Sequence, residues 1–139
     1  YSELSVKSSE KLNSKNILCN KAKILQASVS DMPFDDNTFD NITAVETYYF
    51  WPDKENDVKE VFRVLKQGGT VMLLFEMLRT DDDPFKWEKV ENMLNIKSVT
   101  PQEIRSVLES AGFENINTYT KEGTTWLCAT AQKPKDDEN

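Results

Sequence analysis

Residues 53–75 constrain this chain most. Asp53 is a residue type that caps helices, and after it Val58, Val61, Phe62 and Leu65 recur at the spacing of a helix packed on one face. Gly68-Gly69 predict the end of that helix, since glycine takes the left-handed turn at low steric cost. Thr70-Val71-Met72-Leu73-Leu74-Phe75 follows as an unbroken apolar run. Such a run, bounded by glycines, suits a strand buried on both faces of a parallel sheet.

The flanks extend the alternation. Residues 2–16 are compatible with helix, with Leu4, Val6, Leu12 and Ile17 as sparse apolar points. Lys23–Ser28 reads as a short strand, 31–37 as a loop full of turn formers, and Asp40–Glu46 as a second strand. Pro52 stops any regular element after Tyr48-Tyr49-Phe50-Trp51. Asp83-Pro84 opens a helix with Trp87, Val90, Met93 and Leu94 as its apolar points. Thr100-Pro101-Gln102-Glu103 is a capping box with proline at the first helical position. Ile104, Val107, Leu108 and Ala111 give that helix a buried face, and Gly112 ends it. Two strands near 113–120 and 124–132 close the domain across Lys121-Glu122-Gly123. The order predicts one α/β domain over residues 1–132, with a mostly parallel sheet and one antiparallel strand. The acidic residues 133–139 are expected to be a disordered tail.

Composition narrows the function. The chain has 139 residues, enough for one domain with a real core. A net charge of −7 argues against a nucleic-acid partner, because phosphate contacts need a basic face. No apolar run approaches the roughly 20 residues of a membrane span, and no secretory signal is visible. The absence of a starting Met leads to the expectation that the chain is a piece of something longer. There is no histidine, and Cys19 and Cys128 are isolated, so Cys/His metal sites and histidine triads are excluded on inventory. Two lone thiols fit a reducing, cytoplasmic setting.

Three local patterns then occur in a fixed order: Met32-Pro33-Phe34-Asp35-Asp36-Asn37-Thr38-Phe39-Asp40, Glu46-Thr47-Tyr48-Tyr49-Phe50-Trp51-Pro52-Asp53, and Arg63-Val64-Leu65-Lys66-Gln67-Gly68-Gly69. Each alone is weak. Together they resemble the class I, Rossmann-like S-adenosylmethionine-dependent methyltransferases, in particular the small-molecule group that includes ubiquinone/menaquinone-type enzymes. Gln67 stands where that family commonly has proline. The resemblance implies a sheet in the order 3-2-1-4-5-7-6 with strand 7 antiparallel. Aligned to it, this chain supplies strands 3 to 7 and lacks strands 1 and 2, with their glycine-rich loop and ribose-binding carboxylate. The four glycines (Gly68, Gly69, Gly112, Gly123) form no G-x-G loop. The strands left without neighbours are expected to re-pair directly, to associate with another copy, or to need the missing half.

The resemblance also implies a site. It places Tyr1, Ser28, Val29 and Met32 around the adenine, and Glu46 and Thr47 beside the methionine and methyl-donor region. Of the four consecutive aromatics Tyr48, Tyr49, Phe50 and Trp51, at least one should line the cleft, where aromatic faces attract a sulfonium. The implied cofactor is S-adenosylmethionine and the implied acceptor a small molecule, with no metal and no membrane. Substrate choice is expected to sit in the insert at Leu78–Val99. A competing reading is a non-catalytic α/β module that self-associates through open sheet edges. A nicotinamide-type oxidoreductase is weaker, because it requires a G-x-G-x-x-G loop.

Overall fold

The computed structural model describes residues 2–135. Its first elements are helices α1 (Glu3–Leu12) and α2 (Ser14–Leu18), separated at Asn13, which caps α1. Strand β1 (Phe39–Val45) follows, then a 3-10 turn (Tyr48–Phe50), helix α3 (Lys54–Val64) and strand β2 (Leu65–Phe75). Helices α4 (Glu88–Leu94) and α5 (Pro101–Ser110) come next, and strands β3 (Glu114–Thr120) and β4 (Leu127–Gln132) close the chain.

The four strands lie in the order β1-β2-β4-β3. Strands β1 and β2 are parallel, while β4 runs against both β2 and β3. The fold is α/β and Rossmann-like, and the order is the expected 4-5-7-6 portion. Two expectations are corrected. Lys23–Ser28 is not a strand: it carries no ladder, only an isolated bridge from Ser28 to Asp31. In the expected order its partner is strand 2, and no described strand occupies that place. The sheet is therefore mixed rather than mostly parallel. One reversed strand, β4, sits between two others and makes two of the three pairings antiparallel.

Strand alternation sorts the side chains. Val71, Leu73 and Phe75 of β2 and Leu127, Ala129 and Ala131 of β4 are buried, with partly buried residues between them. Helix α5 packs on β3 and β4, and α3 on β2. Val58 and Val61 of α3 and Ile104 and Leu108 of α5 complete the core. Each fully buried side chain of this kind contributes roughly 1.5–3 kcal/mol. The opposite face stays partly open, with Val45 49% and Tyr119 57% exposed. The capping box at Thr100 forms as expected, with Thr100 accepting from the Glu103 N–H and Glu103 from the Thr100 N–H. The helix expected from Asp83-Pro84 starts later, at Glu88, because Asp83 to Lys86 close a turn instead.

Helix α3 also stops earlier than the glycines suggested. Leu65 is its cap and is already extended. Residues 66–69 bulge out of β2, since Phe39 pairs with Leu65 but Asn41 with Thr70. The two glycines shape that bulge for different reasons. Gly68 has φ +74°, a conformation that costs other residues energy. A Cβ at Gly69 would lie 2.8 Å from the Lys66 carbonyl oxygen and 2.9 Å from that of Asp40.

Lys133 lies in the expected tail, yet it is buried. The remainder of that segment, 136–139, lies outside the described residues. The Lys133 Nζ donates to the carbonyls of Phe62 and Leu65, both at 2.8 Å, and to Asn37 Oδ1 at 2.9 Å. It caps the carboxyl end of α3, where cations are favoured. Lys133→Met is expected to leave those buried carbonyls unpaired and to cost about 3 kcal/mol. Urea unfolding of the two proteins checks this.

Candidate functional site

A cavity of about 760 Å³ runs along the free edge of β1 to its carboxyl end. One wall is the coil at 25–32, including Leu25, Val29 and Met32. The floor is Ile42 and Ala44 of β1 with Val71 and Leu73 of β2. Glu46, Thr47, Phe50, Trp51 and Pro52 form the far end, and Ser2, Ser5 and Val6 of α1 approach from outside. Ligands in open α/β sheets bind at the carboxyl ends of strands.

The structure brings most of the sequence-predicted residues together here. Val29, Met32, Glu46, Thr47, Phe50 and Trp51 line the cavity. Tyr1 lies outside the described residues. Ser28 is not part of the lining; its Oγ accepts from the Ser30 N–H in a turn. Tyr48 and Tyr49 are not brought to the cavity either, because the 3-10 turn at 48–50 rotates them inward. Tyr48 meets Phe75 edge-on at 5.5 Å, and Tyr49 meets it at 5.9 Å. Phe50 is turned outward by the same geometry and is 61% exposed.

Glu46 is the most unusual residue of the site. Its φ is +57°, a conformation rarely adopted by a residue with a side chain. The turn is fixed from both sides. The Glu46 N–H donates to the Leu74 carbonyl at 3.0 Å, and the Tyr49 hydroxyl accepts from the N–H groups of Glu76 (3.0 Å) and Met77 (2.8 Å). Partial burial, and then the nearby Glu76 charge, raise the Glu46 carboxyl above its ordinary value. Sequence reading missed Glu76, although it is the first polar residue after the apolar run of β2. It also missed Ser2, Ser5 and the 25–27 coil, for which a spacing pattern offers no signal.

An α/β sheet with a cleft at a parallel-strand end defines the Rossmann-like class of small-molecule-binding domains. Residues 1–73 match the model of the methyltransferase domain family, more than half of the 139 residues, and the chain belongs to that family. It is 29% identical over 126 residues to the uncharacterized methyltransferase YdaC of Bacillus subtilis, covering 89% of this chain and 64% of YdaC. It is 32% identical over 136 residues to the ubiquinone/menaquinone biosynthesis C-methyltransferase UbiE of Cronobacter sakazakii, covering 82% of this chain and 54% of UbiE. The chain thus spans little more than half to two thirds of these relatives. Its fold is shared with human N-acetylserotonin methyltransferase in complex with SAM, at a TM-score of 0.64, 19% identity, and coverage of 84% of this chain and 35% of that one. Among the described residues no helix is long and apolar enough to cross a membrane.

The inward tyrosines carry a pH signature. Burial first, then the carboxylates of Glu103, Asp57 and Glu55, push the Tyr48 phenol up to about 12. Burial also pushes Tyr49 up to about 12, against the lowering effect of the Met77 N–H. Both phenols stay neutral in the fold at a pH where the unfolded chain already ionises, near 10. Their contribution is complete below about pH 10 and is lost as pH rises toward about 12. Unfolding free energy is expected to fall across that window, and less steeply in Tyr48→Phe. Denaturant titrations at successive pH values check the difference.

Proposed function

We propose that this chain is the carboxyl-side part of an S-adenosylmethionine-dependent methyltransferase that acts on a small molecule. The observation that carries this reading is the cavity at the end of β1, lined by Glu46, Phe50 and Trp51. Its volume lies in the range of small-molecule sites, roughly 300–1,000 Å³. A carboxylate flanked by aromatic faces complements a sulfonium, and the apolar Val29 and Met32 wall suits a flat base. The SAM named for the human neighbour supports the same choice.

S-adenosylmethionine, when bound, supplies a methyl group already attached to a good leaving group. The residues then have to hold, orient and exclude water. Glu46 and Thr47 would hold the methionine end, and Val29 and Met32 the adenine, the end to which the resemblance also assigns Ser28 and Tyr1. Phe50 and Trp51 would border the acceptor. A general base is needed only for an acceptor that must lose a proton. The insert at Leu78–Val99, held at its base by a bridge between those two residues, would select the acceptor. The cytoplasm is the compartment consistent with two free thiols.

The chain alone is expected to bind weakly. No G-x-G turn is present to approach the nucleoside, and the cavity is open along the β1 edge. Calorimetric titration with S-adenosylhomocysteine is expected to give a dissociation constant no tighter than about 100 μM, near −5.5 kcal/mol. One-site binding in the low micromolar range would refute the need for a further glycine-rich segment.

A second reading, self-association without catalysis, is favoured by one feature of β1. The Glu46 N–H points to β2, so by alternation the N–H and C=O of Thr43 and Val45 point away from it. Unpaired edges of this kind recruit strands. On this reading sedimentation shows a dimer that Thr43→Pro dissociates, since proline removes an edge donor. A monomer at all concentrations disposes of it.

A further inference from the structure

Arg63, in the last turn of α3, uses all five N–H donors of its guanidinium on one stretch of chain and one carboxylate. Nε donates to Glu60 Oε2 at 2.8 Å. Nη2 donates to Glu60 Oε1 at 2.8 Å and to the Met32 carbonyl at 3.2 Å. Nη1 donates to the Phe34 carbonyl at 2.9 Å and to Asp36 Oδ1 at 2.7 Å. Glu60 Oε1 accepts in turn from the Met32 N–H at 2.9 Å. Met32 is therefore held at both its backbone groups.

The held stretch forms a wall of the cavity and has neither helix nor strand from residue 21 to residue 38. Its far end is joined to the carboxyl end of α3 by backbone, with the Asn37 and Thr38 N–H groups donating to the Arg63 and Val64 carbonyls. The hydrogen bonds tying Met32, Phe34 and Asp36 to α3 run through Arg63 and Glu60.

We propose that Arg63, oriented by Glu60, is a positioning residue that sets the Val29–Met32 wall of the cleft, and so governs affinity for a planar base without touching it. This rests on the reading of the cavity as the cofactor cleft. The geometry asks for a guanidinium. Its planar fork reaches four acceptor groups at once, whereas a lysine ammonium presents its donors from a single point. Multidentate charge-assisted bonds of this kind fix orientation as well as distance.

The test uses the 139-residue chain with labelled methionine methyls, Arg63→Lys and Glu60→Gln as variants, and Arg105→Lys as a control for losing a surface guanidinium. Two probes separate the ends of the cleft: adenosine for the Met32 wall, and S-methylmethionine, a small sulfonium, for the Glu46 end. Amide exchange at Met32 is expected to rise about tenfold in Arg63→Lys, the scale of losing a charge-assisted bond. Exchange at Val71 and Leu73 of β2 should not move. The adenosine midpoint, read at the Met32 methyl, is expected to rise about tenfold while that for S-methylmethionine stays constant. Glu60→Gln should move both readouts in the same direction, and it decides the matter if Arg63→Lys fails to fold. Unchanged exchange at Met32, or equal weakening of both probes, overturns the proposal. If neither probe binds the unsubstituted chain, the cofactor reading fails, and the exchange comparison alone upholds or overturns the role of Arg63 in setting the wall.

Discussion

Strand β2 is the constraint on which the rest depends. It is paired along both edges, parallel to β1 on one side and antiparallel to β4 on the other. Its inward residues Val71, Leu73 and Phe75 are essentially inaccessible and meet the residues of α3, α5 and the 48–50 turn. From Thr70 to Leu74 the strand lies between two ladders, so its backbone groups there are satisfied on both edges. Its neighbours are therefore held in register, and the carboxyl ends of β1 and β2 arrive side by side. Glu46 and Glu76 face the same region for that reason, and their mutual charge is part of what raises the Glu46 carboxyl.

The two sides of the cleft are built by different physics. The floor and far end belong to the sheet, and Tyr49 locks them there by accepting two backbone N–H groups at the end of β2. The near wall has no ladder and relies on side-chain hydrogen bonds from α3. Ladders are cooperative and protected, while partly exposed ion pairs are weak singly and gain from geometry. Local opening should begin at the wall.

Much of this was legible in the sequence. The α3 stripe, the buried run of β2 and the capping box at Thr100 are periodic or local signals, and local signals survive without knowledge of partners. Lys23–Ser28 was not legible, because a short apolar stretch becomes a strand only where another strand offers it bonds. The glycines at 68 and 69 were read as a helix stop, but tertiary pairing of Phe39 with Leu65 drew the chain out of helix sooner. At the candidate site, motif position points to Glu46, Thr47, Phe50 and Trp51, and these line the cavity. The inward turn of Tyr48 and Tyr49 needed the 3-10 geometry, which four consecutive aromatics do not announce. Arg63 was visible as part of a motif, but its five acceptors are scattered over 31 positions and no spacing rule joins them.

The strain at Glu46 connects these observations to function. Holding a side-chain-bearing residue in the left-handed region costs of order 1 kcal/mol or more, and glycine at this position would remove the cost. A glycine would also remove the carboxylate from the end of β1. The backbone there is over-determined by the Leu74 carbonyl on one side and the Tyr49 anchor on the other, so the strained geometry persists. A carboxyl group has thus been kept, in an unfavourable conformation and partly desolvated, at the far end of the cleft. Folding alone gives no reason for that combination, which the proposed binding of a cation at this end would account for.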